Sequence, residues 1–307
     1  MARDRRDSKA EELDEMEDGE LVIRKRQQVV RKNVTREDVI KAVSTMITVM
    51  HDKQHPAVQT YSDAASAPFV AACTFAAGAR PLIIEDTGDA SQISAFATGL
   101  SASLGGLSKP RQEAVRAAVG QAVAGARPWV LCAEGVDMLS SRRFFAKEIA
   151  RRLPGIIVGT PAEIVALEGS GESAGADVEK EAVAAAACIA AESHSTVVVS
   201  TPFKDTVVCE DRPTLEIGMK SAGVPVDRVP GWMAAKAALA ASYLALLRNH
   251  KYAAAASASL VGAVAADMAF TAPASQPGSF AKAYVDALSA ITPEDLSRLA
   301  QFEVLGC

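Results

Sequence analysis

Gly155-Ile156-Ile157-Val158 is followed by helical patterns over 161–168 and 178–192, and then by Thr196-Val197-Val198-Val199. Both apolar runs are short and β-branched, and neither shows the apolar–polar alternation of a half-exposed strand. They read as strands covered on both faces, and a strand–helix–strand unit of this kind makes the two strands parallel. Upstream, Pro81-Leu82-Ile83-Ile84 and Trp129-Val130-Leu131 repeat the signal, with helical patterns at 91–103, 109–125 and 141–152. Downstream, Thr206-Val207-Val208-Cys209 and Thr214-Leu215-Glu216-Ile217 flank Glu210-Asp211-Arg212-Pro213, which predicts an antiparallel hairpin at a sheet edge. From 232 onward the chain reads as almost wholly helical. The expected class is α/β: a mostly parallel central sheet, helices on both faces, and a helical C-terminal part.

Near the start, Thr35-Arg36-Glu37-Asp38 has the form of a capping box. It opens an amphipathic helix through about Lys53, with Val39, Val43, Ile47 and Val49 near one stripe. Before it, residues 1–34 are dense in charge. An acidic block from Glu11 to Asp18 precedes Arg24-Lys25-Arg26 and Arg31-Lys32. Such a segment is a solvated arm or short surface helix, or a docking arm that orders on a protein partner. The expected organisation is therefore a charged extension over 1–34 and one α/β domain over 35–307.

With 307 residues, 49% of them hydrophobic, the chain can bury a large core. Aromatics are only 5%, while Ala runs recur at 184–187 and 253–256, so the core is expected to be aliphatic, with closely approaching helices. A net charge of −5 gives no footprint for nucleic acid or an anionic membrane. No apolar leader opens the chain, and no uncharged run reaches the roughly 20 residues that span a bilayer. The stretch from Trp232 to Phe270 comes nearest, but Lys236, Arg248 and Lys251 interrupt it, and it reads as buried helices. Cys73, Cys132, Cys188, Cys209 and Cys307 are dispersed, with no Cys-x-x-Cys pair. They indicate a reducing compartment, cytoplasmic or organellar, with the internal ones acting as small buried hydrophobes. His51, His55, His194 and His250 form no metal motif, and Arg142-Arg143 and Arg151-Arg152 read as solvated helix faces.

Ligands of open parallel sheets bind beyond the carboxyl ends of the strands. Four loops qualify: Cys132–Asp137, Gly159–Glu163, Ser200–Asp205, and Val229–Ala234 ahead of the Ala-rich helix. Here the chain resembles hydroxyethylthiazole kinases, thiamine-salvage enzymes with a ribokinase-like fold. Gly78-Ala79-Arg80-Pro81 resembles the family's Gly-Ala-Ser-Pro, and Leu104-Gly105-Gly106-Leu107-Ser108 its Ile-Gly-Thr-Leu-Ser. Gly159-Thr160-Pro161-Ala162-Glu163 resembles Gly-Asn-x-x-Glu, and Gln276-Pro277-Gly278-Ser279-Phe280 resembles Gly-Pro-Gly-Ser-Phe. The resemblance implies ATP and Mg2+ as cofactors if the chain is a kinase, and trimers with sites between subunits.

Departures from the family pattern fall in the same four loops. Cys132-Ala133 stands at the family's Asp-Pro, and a neutral thiol is a poor ligand for a cation that prefers oxygen. Glu134 and Asp137 are then candidate metal ligands beside Glu163, or solvated surface carboxylates. Glu163 is either part of a metal and phosphate site or a favourable charge at a helix N-terminus. Thr201 is kept as a candidate phosphate contact, but Pro202 replaces a Gly and removes an N–H donor. Gly231 is kept, while Trp232, Met233 and Ala234 replace the Thr, Gly and Cys of the family's anion hole. Ala234 cannot take a proton. In the family's substrate pocket this chain carries Gln59 and Asp63; the latter either binds a cationic ligand or caps the following helix. These departures lead to the expectation of a protein without catalysis or cofactor, serving as a structural or binding subunit of a larger assembly. The alternatives are an ATP-dependent kinase of a thiazole alcohol, with Glu134, Asp137 and Glu163 on Mg2+, and a sensor that binds nucleotide or metabolite without turnover.

Overall fold

The computed structural model describes residues 34–84, 86–169, 177–219, 226–270 and 276–305. The chain divides into two units, Met1–Thr35 and Arg36–Cys307. All of the 1–34 extension but Val34 lies outside the described residues, as does Cys307.

Helix α1 (Arg36–Asp52) opens the second unit and buries Val39, Val43, Ile47 and Met50. Val49 is only half-buried, because a 3.6-residue period carries the stripe from Ile47 to Met50. Then strands and helices alternate: β1 (Ala57–Tyr61), α2 (Ala67–Ala76), β2 (Arg80–Ile83), α3 (Thr87–Phe96), β3 (Gly99–Ser103) and α4 (Lys109–Ala124). The series continues with β4 (Trp129–Cys132), α5 (Ser140–Ala150), β5 (Ile156–Gly159), α6 (Pro161–Glu168), α7 (Val178–Ser193) and β6 (Thr196–Ser200). Two strands follow, β7 (Lys204–Val208) and β8 (Thr214–Gly218). The chain ends in α8 (Trp232–Leu246), α9 (Lys251–Phe270), α10 (Pro277–Ala290), α11 (Pro293–Leu299) and β9 (Gln301–Leu305).

The strands form one sheet in the order β2-β1-β3-β4-β5-β6-β7-β8-β9. From β2 to β6 every pairing is parallel; β7, β8 and β9 then pair antiparallel. The 206–217 hairpin is present, but β9 covers β8, so the hairpin is not the sheet edge. The end is almost wholly helical as expected, with the short strand at 301–305 as the exception. Arg36 secures this last strand, with its guanidinium 4.6 Å over the Phe302 ring and a 2.6 Å hydrogen bond to the Ala300 carbonyl.

Residues 91–103 are not one helix. α3 ends at Phe96, and Gly99-Leu100-Ser101-Ala102-Ser103 is a fully buried strand. A Cβ on Gly99 would lie 3.1 Å from both the Ala241 carbonyl oxygen and the Ala245 Cβ of α8. This closeness leaves little room for a side chain at position 99, and none of the other residues of β3 is β-branched, so the strand lacks the residues by which strands are recognised. α8 lies against β1, β3, β4 and β5 on one face, with α2, α9 and α10 beside it. On the other face α3–α7 enclose a core that includes Trp129, Phe145, Ile157, Ile164 and Val197. Helix α9 is long and apolar enough to cross a membrane, but 83% of its apolar window is buried inside the fold. Cys73 and Cys132 are buried and Cys209 is half-buried. Cys188, expected inside, is exposed, because α7 turns Ala185, Ala186 and Ile189 inward and leaves position 188 on the outer side.

Candidate functional site

Beyond the carboxyl ends of β4, β5 and β6 lies a cavity of about 360 Å3. Its wall comes from the loops after those strands (Glu134, Thr160, and Ser200 to Pro202), from Ser66, and from residues 229–233 at the start of α8. The four loops singled out in the sequence thus meet at one place. Their side chains have separate fates.

Helix α8 begins at Gly231, whose φ of +82° no other residue type adopts cheaply. A Cβ there would be 2.7 Å from the Ser66 Cβ, so this glycine also seats the α8 loop against the loop after β1. No side chain caps the helix. The Trp232 N–H donates to the Val229 carbonyl, while Met233 and Ala234 hold first-turn N–H groups that have no acceptor within a helix. Trp232 lines the cavity, but its indole is held from behind by other rings. It packs 4.8 Å from the Tyr284 ring and 6.0 Å from Phe280, and its Nε1 has no hydrogen-bond partner among the described residues. Ala234 is buried.

One turn further, Lys236 is 10% exposed and pairs at 2.5 Å with Asp205 of β7, itself 5% exposed. Its ammonium also donates to the Ser200 hydroxyl at 2.8 Å, and that hydroxyl donates to Asp205 at 2.7 Å. This ionic group ties the cavity wall at Ser200 to α8, and the sequence reading missed it. The signal available was a lone Lys in an otherwise apolar helix face. Thr201 lines the cavity, but its hydroxyl closes a turn by accepting from the Phe203 and Lys204 N–H groups and donating to the Lys204 carbonyl.

Glu163 is buried and does not line the cavity. It closes a capping box with Thr160: its Oε2 accepts from the Thr160 N–H at 2.8 Å, and the Thr160 hydroxyl accepts from the Glu163 N–H. Its Oε1 accepts from the Gly135 N–H at 2.7 Å. Burial pushes this carboxyl above the usual range, against the pull of those backbone donors. Asp137 is half-exposed and away from the cavity wall. Gln59 is in the core: its amide donates to the Tyr61 hydroxyl and the Ala90 carbonyl, and its Oε1 accepts from Ser94. Asp63 does not line the cavity either. It accepts from the Ala65 and Ser66 N–H groups and from the Ser66 hydroxyl, which caps the turn into α2. Burial raises its carboxyl, but those bonds prevail and hold it below its usual value.

Glu134 does line the cavity. Among the described lining residues it is the one ionisable side chain. Arg142 and Arg143, expected on a solvated face, clamp its loop by donating to the carbonyls of Glu134, Val136 and Asp137. Cys132 behind it is fully buried, and burial drives its thiol well upward, so it stays neutral. Among the described residues no three His, Cys, Asp or Glu side chains converge to hold a metal ion. The Glu134, Asp137 and Glu163 set therefore does not fit a resident Mg2+.

A sheet of this order, with a cavity at the carboxyl ends of its parallel strands and the start of α8, defines a ribokinase-like α/β fold. A solved hydroxyethylthiazole kinase from Pyrococcus horikoshii is similar over 88% of this chain and 100% of that one, with a TM-score of 0.75 at 23% identity. A pyridoxal kinase from Bacillus subtilis, solved with ADP, is similar over 70% of this chain and 93% of that one, with a TM-score of 0.54 at 14% identity. Residues 47–294 match the model of the hydroxyethylthiazole kinase family. A hydroxyethylthiazole kinase of Cronobacter sakazakii is 35% identical over 229 residues, covering 72% of this chain and 83% of that protein. One from Cereibacter sphaeroides is 32% identical over 256 residues, covering 82% and 95%. The chain belongs to the hydroxyethylthiazole kinase family.

Proposed function

We propose that the chain is an ATP-dependent kinase of a small alcohol of the hydroxyethylthiazole type, acting in thiamine metabolism. The observation that carries the reading is the cavity at the open start of α8, in a chain 35% identical to a bacterial hydroxyethylthiazole kinase. The first-turn N–H groups of Met233 and Ala234, with the positive end of the helix dipole, suit a phosphoryl group. ATP supplies that group and, when bound, carries Mg2+ largely on its own phosphate oxygens and water, as this ion commonly does. The expectation of lost catalysis has less support, because relatives that match over most of their length are named as kinases.

A second reading, binding without turnover, is favoured by one feature: Trp232, Met233 and Ala234 offer no group that exchanges a proton with a substrate hydroxyl. Under this reading the protein is a binding or structural subunit, with the 1–34 extension as its docking arm.

Incubation with ATP, Mg2+ and hydroxyethylthiazole, followed by mass analysis for the phosphate ester, separates the two. Ester formation supports the kinase. A raised melting temperature with nucleotide but no ester supports binding alone. Absence of both effects sinks the kinase reading.

A further inference from the structure

We propose that Glu134 is the catalytic base of this site and takes the proton of the substrate hydroxyl; this rests on the kinase reading above. It is the one ionisable side chain among the described residues that line the cavity. Several contacts hold it in place. The Ser103 hydroxyl donates to its Oε2 at 2.8 Å and itself accepts from the Gly105 N–H. A Cβ on Gly105 would lie 2.6 Å from Oε2, so the carboxylate fits because that position is glycine. Its backbone is fixed on both sides. Arg142 donates to the Glu134 carbonyl at 3.2 Å, and Glu163 accepts from the next N–H, that of Gly135. Gly135 has a φ of +76°, a conformation glycine adopts freely. Oε1 has no partner among the described residues. A carboxylate fixed at one oxygen and open at the other, on a pinned backbone, has the form of a preorganised acceptor.

The phosphoryl group's natural seat is the start of α8, which lines the same 360 Å3 cavity. Two anions at such range repel unless a proton or cation lies between them. The carboxylates near Glu134 are otherwise engaged: Glu163 has both oxygens on backbone N–H groups, and Asp137 is away from the wall. No protein-held cation is assembled among the described residues, so what can lie between them is the Mg2+ that ATP would carry and the substrate O–H, and of these only the O–H has a proton to give Glu134. In the step itself, the hydroxyl oxygen bonds to the γ-phosphorus as its proton passes to Oε1. The bond from the γ-phosphorus to the bridging oxygen breaks, and ADP leaves with that electron pair. Glu134 then returns the proton to solvent.

The test uses the full chain with ATP, Mg2+ and hydroxyethylthiazole. Glu134→Gln keeps an acceptor for Ser103 and should fold with an unchanged melting temperature. Its kcat should fall about 100- to 10,000-fold, with KM for ATP within a few-fold and the acid limb of the kcat–pH profile lost. Glu134→Asp should restore part of the rate and that limb. An active wild type with an unaffected Glu134→Gln overturns this inference alone. Recovery of Glu134→Gln by millimolar Mg2+ or Mn2+ overturns it in favour of a cation ligand. A wild type that forms no ester overturns the kinase reading and this inference with it.

Discussion

Of the helix N-termini at the carboxyl edge of the sheet, those of α6 and α8 are finished in opposite ways. At α6 a reciprocal Thr160–Glu163 box satisfies the helix end, Pro161 stands in the first turn, and the remaining Glu163 oxygen is held by Gly135. At α8 a left-handed glycine opens the helix with no side-chain cap. Both motifs resemble kinase loops in sequence, yet only the second has no side-chain cap where it lines the cavity. Anion affinity should therefore belong to α8, while the α6 end supports the β4 loop from behind.

The strongest way to break this contrast is to cut α8 loose. Lys236→Met leaves Asp205 charged and buried without its cation, a change that typically costs about 3–5 kcal/mol. Chemical denaturation should show a loss of that size. A loss below about 1 kcal/mol would mean the pair is solvated, and α8 is held by packing alone.

Gly231→Ala attacks the open end directly. It forces a left-handed φ on alanine and places a Cβ 2.7 Å from Ser66, so about 1–3 kcal/mol of stability should be lost. Binding of ATP, read by calorimetry, should weaken with it. Intact ATP binding would place the phosphate elsewhere. Thr160→Ala, by contrast, removes the α6 cap and should cost about 1 kcal/mol; although Thr160 touches the cavity wall, ATP affinity should fall less than in Gly231→Ala. An equal or larger loss of affinity in this variant would erase the distinction between the two helix ends.

How much of this was legible beforehand follows the same physics. Strands β4 to β8 and helices α4 to α7 announce themselves through β-branched runs and helical periodicity. β1 and β3 do not, because buried Gln59, Thr60, Ser101 and Ser103 interrupt Val58, Leu100 and Ala102 and break the apolar run. Gln59 is satisfied by Tyr61, Ala90 and Ser94, the last two far away in sequence. The capping role of Glu163 could be read from Thr-Pro-Ala-Glu, a local pattern. Which acidic residue faces the cavity could not. Glu134, Asp137 and Glu163 look alike on the page, and tertiary contacts from Arg142, Ser103 and Gly135 separate them.

The most local test concerns the charge at the closed end. Burial raises the Glu163 carboxyl in the folded state above its reference value of 4.5. The folded protein then binds this proton more tightly than the unfolded chain. The associated stabilisation is fully present below pH 4.5 and is lost as pH rises through the folded value. Other carboxylates, Asp63, Asp295 and Glu148 among them, are shifted downward and give the opposite trend, so the total curve conceals the effect. The quantity to measure is the melting temperature of wild type minus that of Glu163→Gln, as a function of pH. It should be highest in acid and decline upward from about pH 4.5, whatever constant penalty Gln incurs at the cap. A difference that instead grows with pH would mean that the Thr160 and Gly135 N–H groups outweigh burial. The α6 end would then stabilise negative charge as the α8 end does, and the two helix termini would be alike after all.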